Sequence, residues 1–140
     1  MKNDKGLSIV TGIAVRFSEV DSLGMVWHGN YVKYLEDGRE AFGRKYGLEY
    51  TTIYAEGYYT PVVELNMEYR SPATIDDNLE VRTVYMPQKA AKLVYEYEMR
   101  NKADGRLILT ATSVQLIVSA GGTFEPSKPE FFRNWESKYF

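Results

Sequence analysis

VRFSEVDSLGMVWHGNYVKYLEDGREAFGRKYG, residues Val15 to Gly47, reads as the end of a strand, a loop and an amphipathic helix. Tyr31, Tyr34, Leu35, Gly38, Ala41, Phe42 and Tyr46 recur at i, i+3, i+4, i+7, i+10, i+11 and i+15, so the spacing predicts a helix over 30–46 with one apolar face. Lys33, Glu36, Asp37, Glu40 and Arg44 occupy the other side, with Glu40 placed to pair with Arg44 one turn on. Asn30 stands at the N-cap position and Gly47 at the C′ position, while Lys33 stands where a capping box needs Glu or Gln. Gly38 costs the helix about 1 kcal/mol relative to alanine. Its place in the apolar stripe makes it a packing contact, where a missing side chain lets the helix lie close on a sheet.

Outward from this stretch the period is two. Upstream, the β-branched residues of 8–17 predict a first strand, with Gly12 as a bulge or a point of close backbone approach. Downstream, alternation over 63–70, 79–85 and 93–100 predicts three more strands, the last ending in a hairpin turn at 101–105. The run 107–118 is apolar on both faces, as expected of a central strand or one at a subunit contact, and Gly121 and Gly122 end it. In the tail from Thr123, a short helix would lay Phe131, Phe132 and Trp135 on the body. Residues 1–7 are polar and expected to be loose. One helix on one face of an antiparallel sheet is an α+β arrangement, and 140 residues form a single domain, 1–140.

Composition excludes several classes of function. A net charge of -2 with scattered Lys and Arg gives no basic stripe, so nucleic acid is not an expected partner. With no cysteine there is neither a disulfide framework nor a thiolate metal site, and one histidine without clustered carboxylates supports no metal. The N-terminus lacks the apolar run of a signal peptide and no stretch has the length of a membrane span, so the expected location is cytoplasmic, with no membrane partner. The loops that hold dinucleotides and nucleoside triphosphates, GxGxxG and GxxxxGK[ST], are absent.

Two residues of the loop can carry chemistry. Asp21, flanked by Val20, Leu23, Met25 and Val26, is either a base or nucleophile among apolar groups or the acceptor of an Asx turn over Ser22 to Gly24. His28 either orients a substrate carbonyl or water, or is hydrogen-bonded within the loop. A helix that starts near Gly29 or Asn30 presents unpaired N–H groups and a positive dipole end, a ready place for an oxyanion. A carboxylate beside it completes the minimum set for acyl transfer. Trp27 and Tyr31 read either as an aromatic wall for a substrate or as core, and Glu36 and Glu40 as surface charges.

The pattern D..G.V.H.NY, formed by Asp21, Gly24, Val26, His28, Asn30 and Tyr31, closely resembles that of hot-dog-fold acyl-CoA thioesterases of the 4-hydroxybenzoyl-CoA thioesterase family. The resemblance runs from Ile9 to about Val118 and includes MEYRSPATIDDNLEV. It implies a hot-dog fold, a long helix wrapped by a curved antiparallel sheet of about five strands. It also implies a homodimer or homotetramer with sites at the subunit interface, and a substrate that is a thioester of CoA or acyl-carrier protein. No cofactor is implied, CoA being part of the substrate. Asp21 is then the catalytic carboxylate, with His28 beside it, and Gly24, Val26, Trp27, Gly29, Asn30 and Tyr31 line the substrate, the N–H groups near His28 and Gly29 polarising the carbonyl. One carboxylate suffices chemically, because a thiolate of pKa about 8.5 leaves without protonation. No GxSxG serine motif occurs. Two rivals remain: a hot-dog dehydratase or hydratase, whose histidine belongs in an HFPG-like loop unlike HisGlyAsn here, and a non-hydrolytic acyl-CoA binding module, which has no need of Asp21.

Overall fold

A computed structural model describes residues 7–140, so the expected loose start lies, apart from Leu7, outside the described residues. Its sheet is built from β1 (Ser8–Ala14), β3 (Val62–Tyr69), β4 (Asn78–Met86), β5 (Lys92–Asn101) and β6 (Leu107–Leu116). These strands pair antiparallel in the order β1-β4-β5-β6-β3. The long helix, α1 (Tyr31–Tyr46), packs on β1 and β4. This is the expected α+β hot-dog arrangement with its five-stranded antiparallel sheet.

Period two in the sequence becomes one buried row. Leu79, Val81, Thr83 and Tyr85 of β4 stand beside Leu93, Tyr95, Tyr97 and Met99 of β5, which stand beside Leu109, Ala111, Ser113 and Gln115 of β6. Gly38 lets α1 settle on that row. A Cβ there would stand 2.4 Å from Thr83 Oγ1 and 3.1 Å from Val81 Cγ1, so the close-packing expectation holds. Phe42, fully buried, meets Tyr85, Tyr95 and Trp135, and the Glu40–Arg44 pair forms at 2.8 Å. At the helix end Gly47 takes φ +77 and the Leu48 N–H donates to Gly43 O at 2.9 Å. The tail helix α3 (Glu130–Ser137) buries Phe132 and Trp135 there, and Trp135 Nε1 donates to Tyr46 O at 2.6 Å.

The structure departs from several expectations. β1 stops at Ala14, because the chain then turns through a 3-10 segment, Phe17–Glu19, held by its own side chains. Gly12 makes no bulge: it pairs with Glu80 in an unbroken register, and a Cβ on it would meet nothing within 4 Å. The apolar run expected over 107–118 breaks after Leu116, although β6 does take a central place, between β5 and β3, as expected of it. Unforeseen are α2 (Tyr50–Ala55) and a second sheet of β2 (Tyr58–Tyr59) with β7 (Val118–Ser119). The edge strand β3 is bare. Leu65 and Tyr69, which share the face of the buried row, are 40% and 50% exposed, because α1 lies over the other half of the sheet.

Candidate active site

Glu19 organises the loop before α1. Its carboxylate accepts the Arg16 N–H, the Arg16 guanidinium and the Tyr34 hydroxyl, each at 2.9 Å. Its carbonyl accepts the Trp27 N–H at 3.0 Å and Asn30 Nδ2 at 2.8 Å. Burial alone would push this carboxyl up, yet the donors from Arg16 and Tyr34 outweigh it and hold the group below the usual carboxylate range. One side chain, 3% exposed, thereby ties the end of β1, the body of α1 and the start of that helix together.

Asp21 sits at the tip of the hairpin that Val20 and Val26 close by bridging. Its Oδ1 accepts the N–H groups of Leu23 at 2.9 Å and Met25 at 3.4 Å, and its carbonyl accepts the Gly24 N–H at 3.0 Å, with Gly24 at φ +75. This is the Asx turn. It leaves Oδ2 without a hydrogen bond among the described residues, on a side chain exposed to solvent. The turn-forming and chemical readings are thus compatible, one oxygen serving each. The apolar surroundings expected for Asp21 are not supplied by its own chain: Val26 is buried but Leu23 is 75% exposed.

Asn30 stands at the expected N-cap position of α1, but its side chain makes no cap. A 3-10 turn, His28–Asn30, precedes α1, so Asn30 is already helical at φ -77, ψ -18 and caps no N–H, its amide being spent on Glu19 O. Asn30 N–H donates to Trp27 O at 2.8 Å, whereas the N–H groups of His28 and Gly29 stand ahead of the first intrahelical bond and donate to no carbonyl outside the helix among the described residues. The Trp27 ring lies over Gly29, where a Cβ would come within 2.1 Å of it, and meets the His28 ring at 4.9 Å between centroids. Tyr69 of β3 donates to His28 O at 3.1 Å and packs on Tyr31 at 5.5 Å between ring centroids. Tyr31 is buried, and its hydroxyl accepts the Ala73 N–H at 3.0 Å.

Of the residues expected to line a substrate, Gly24, Trp27 and Gly29 therefore reach the surface with Asp21 and His28, whereas Val26 and Tyr31 hold the site from beneath and Asn30 straps it to Glu19. Glu19 itself was not foreseen. Its signal was the three-residue spacing from Arg16, whose N–H it accepts as a capping-box glutamate would. Among the described residues no three His, Cys, Asp or Glu side chains gather as metal ligands.

With this geometry the chain can be set beside known proteins. The profile of the thioesterase-like superfamily matches residues 15–135, which takes in the hairpin, the helix and most of α3. The chain belongs to that superfamily. A Bacillus subtilis member, YneP, provisionally named an acyl-CoA thioesterase, is 34% identical over 131 residues, 91% of each chain. The acyl-CoA thioesterase YbgC of Haemophilus influenzae is 28% identical over 125 residues, 88% of each chain. Among solved structures, a DHNA-CoA thioesterase from Staphylococcus aureus superposes with a TM-score of 0.82 at 28% identity, covering 94% of this chain and 88% of that one. The superfamily match reaches beyond Val118, where the sequence resemblance was expected to end. In this thioesterase-like chain no described helix is long and apolar enough to cross a membrane.

Proposed function

We propose that this thioester hydrolase cleaves acyl-CoA with Asp21 as its catalytic carboxylate and the start of α1 as its oxyanion site. The observation that carries the reading is the pairing of two incomplete groups on one clamped loop. Among the described residues Asp21 Oδ2 accepts no hydrogen bond, and the N–H groups of His28 and Gly29 meet no backbone acceptor outside the helix, while Glu19 fixes the hairpin to the helix. A thioester carbonyl placed on those donors gains negative charge as it is attacked, and the helix dipole stabilises that charge. Asp21 either attacks the carbonyl carbon itself, giving an anhydride that water opens, or takes a proton from the attacking water. In both routes the C–S bond breaks, the thiolate leaves, and a carboxylic acid and CoA are the products. The His28 side chain, exposed and turned against Trp27, lies where it can steady the thioester. No metal or cofactor enters either route.

The reading includes a second copy of the chain. Val62, Val63, Leu65 and Tyr69 leave the β3 edge exposed and apolar, and an unpaired edge of this kind invites a strand. A twofold pairing through β3 joins two sheets into one and covers the bare half of each. We place the enzyme in the cytoplasm as a homodimer, or as a pair of such dimers. Thiol release from a panel of acyl-CoA and acyl-carrier-protein thioesters, by wild type and Asp21→Asn with native mass recorded for both, tests the reading. The expected result is turnover by the wild type and a loss of about 100-fold or more in the variant, roughly 2.7 kcal/mol of barrier, with the dimer intact. Equal turnover by both proteins would overturn it.

A further inference from the structure

The two N–H groups ahead of α1 each belong to a peptide unit whose carbonyl is held. A trans peptide is planar, with its C=O and N–H pointing to opposite sides, so a bond to the oxygen sets the direction of the hydrogen to within roughly 10–15°. For the His28 N–H the holder is local: Trp27 O, in the same unit, accepts the Asn30 N–H at 2.8 Å. For the Gly29 N–H the holder comes from another element. His28 O, in the same unit, accepts the Tyr69 hydroxyl at 3.1 Å, from 41 positions further along the chain.

The second unit is the one that needs holding. Turning a peptide plane changes ψ of the residue before it and φ of the residue after it, and glycine, without a Cβ, resists that change least. A Cβ on Gly29 would stand 2.1 Å from the Trp27 ring. The indole, where it lies, thus calls for the residue least able to fix its own N–H. A grip on His28 O from outside the turn compensates.

Tyr69 is built to supply that grip. It is the last residue of β3, paired with Leu109, and the next N–H, of Arg70, donates to Ile108 O at 2.8 Å, so β6 fixes its backbone. Its ring leans on Tyr31 at 5.5 Å between centroids, and Tyr31 is buried with its hydroxyl on the Ala73 N–H at 3.0 Å. The other neighbour of the Tyr69 hydroxyl, Met67 Sδ at 3.9 Å, is a weak acceptor, which leaves the single proton to His28 O. A donor on a peptide oxygen also polarises the unit, so that the N–H at its far side donates more strongly.

We propose that Tyr69 is a positioning residue for thioester cleavage: its hydroxyl holds the His28–Gly29 peptide so that the Gly29 N–H stays aimed at the thioester carbonyl oxygen. This rests on the proposed oxyanion role of the α1 start. Aim matters most when that oxygen carries the negative charge of the tetrahedral intermediate, because a hydrogen bond to a charged acceptor is stronger than one to the neutral carbonyl. Loss of the grip therefore falls on kcat and not on KM.

Tyr69→Phe deletes the hydroxyl of a residue that is 50% exposed and keeps its ring, so the fold does not depend on the change. With acyl-CoA as substrate the variant should lose about tenfold in kcat, less than the roughly 10²–10³ that removal of a whole oxyanion donor costs, while KM stays as in wild type. Tyr139→Phe removes the comparable bond at the other end of α1, from the Tyr139 hydroxyl to Tyr46 O at 3.4 Å, and should leave kcat unchanged. A second readout sees the polarised carbonyl directly. An acyl-CoA analogue with a methylene in place of sulfur, labelled with ¹³C at the resulting ketone, should resonate downfield of its position in water when bound to wild type. Tyr69→Phe should give back part of that displacement at equal affinity.

Wild-type kcat and full displacement in Tyr69→Phe would overturn the proposal and leave the oxyanion site standing. So would a fall in kcat that comes with a lower unfolding midpoint or a lost dimer while the displacement stays whole, which is the mark of a structural role. No displacement in wild type would instead remove the oxyanion site, and the role of Tyr69 with it.

Discussion

The two ends of α1 belong to one helix and are treated in opposite ways. At its C-terminal end every device of closure is present: Gly47 in the left-handed conformation, Leu48 N–H on Gly43 O, and Trp135 and Tyr139 both donating to Tyr46 O. At its N-terminal end Asn30 turns its amide away to Glu19, and among the described residues the N–H groups of His28 and Gly29, beside an exposed Trp27, meet no backbone acceptor outside the helix. Capping that end with Asn30 would stabilise the helix by roughly 1 kcal/mol. In the proposed function, leaving it open keeps the donors for a ligand. Closure serves stability at one end, and on that proposal its absence serves chemistry at the other.

Substitutions can break that contrast, and Trp135→Ala should have the largest effect. It removes a buried ring and the donor on Tyr46 O, costing about 3–5 kcal/mol in urea unfolding, with kcat per folded molecule unchanged. A fall in kcat to match would mean that the ends are not independent. Gly38→Ala, midway, should cost about 1–3 kcal/mol through overpacking against Thr83 despite the better helix residue. Combining it with Thr83→Ala should recover part of the loss.

Glu19→Gln probes the open end. The Glu19 carboxyl is held below its ordinary value, so its contribution to stability is present above the unfolded carboxylate pKa of about 4.3 and is lost as pH falls through the folded value. The variant should be weaker than wild type by about 1–2 kcal/mol at pH 7, and the gap should close as unfolding is repeated at successively lower pH. A gap that persists into acid would show that the charge is not what holds the loop. The smallest change in stability, within about 0.5 kcal/mol, belongs to Gly29→Ala. The new methyl must push aside the Trp27 ring, which is 52% exposed and can swing away, so tryptophan fluorescence and KM for acyl-CoA should move while the unfolding midpoint does not.

Those two ends were not equally legible in the sequence. The helix, its C′ glycine and the packing role of Gly38 followed from period and position, because local rules and tertiary contacts agree there. At the open end Asn30 holds the N-cap position that the sequence indicates but not the capping bond; only the fold brings Glu19 O within reach of its amide. Glu19 was overlooked for a related reason: a charged residue is expected outside, and burying it requires the Tyr34 hydroxyl from fifteen residues on. The short helix α2, with the sequence YTTIYA, carries β-branched and aromatic residues that argue against a helix, and two-residue strands such as β2 and β7 carry no period at all. In β6 a signal was present and unread. Ser113 and Gln115 break an otherwise apolar run on its buried row, and Gln115 Oε1 is buried there with no partner among the described residues.

The most direct measurement is an NMR titration of the ¹⁵N-labelled protein with a ketone analogue of acyl-CoA, in which a methylene replaces the sulfur and hydrolysis cannot follow. If the open end of α1 is the oxyanion site, the amide resonances of His28 and Gly29 shift and saturate together, while those of Gly47 and Leu48 stay in place. Saturable shifts confined to other parts of the chain, with His28 and Gly29 unmoved, would contradict the account.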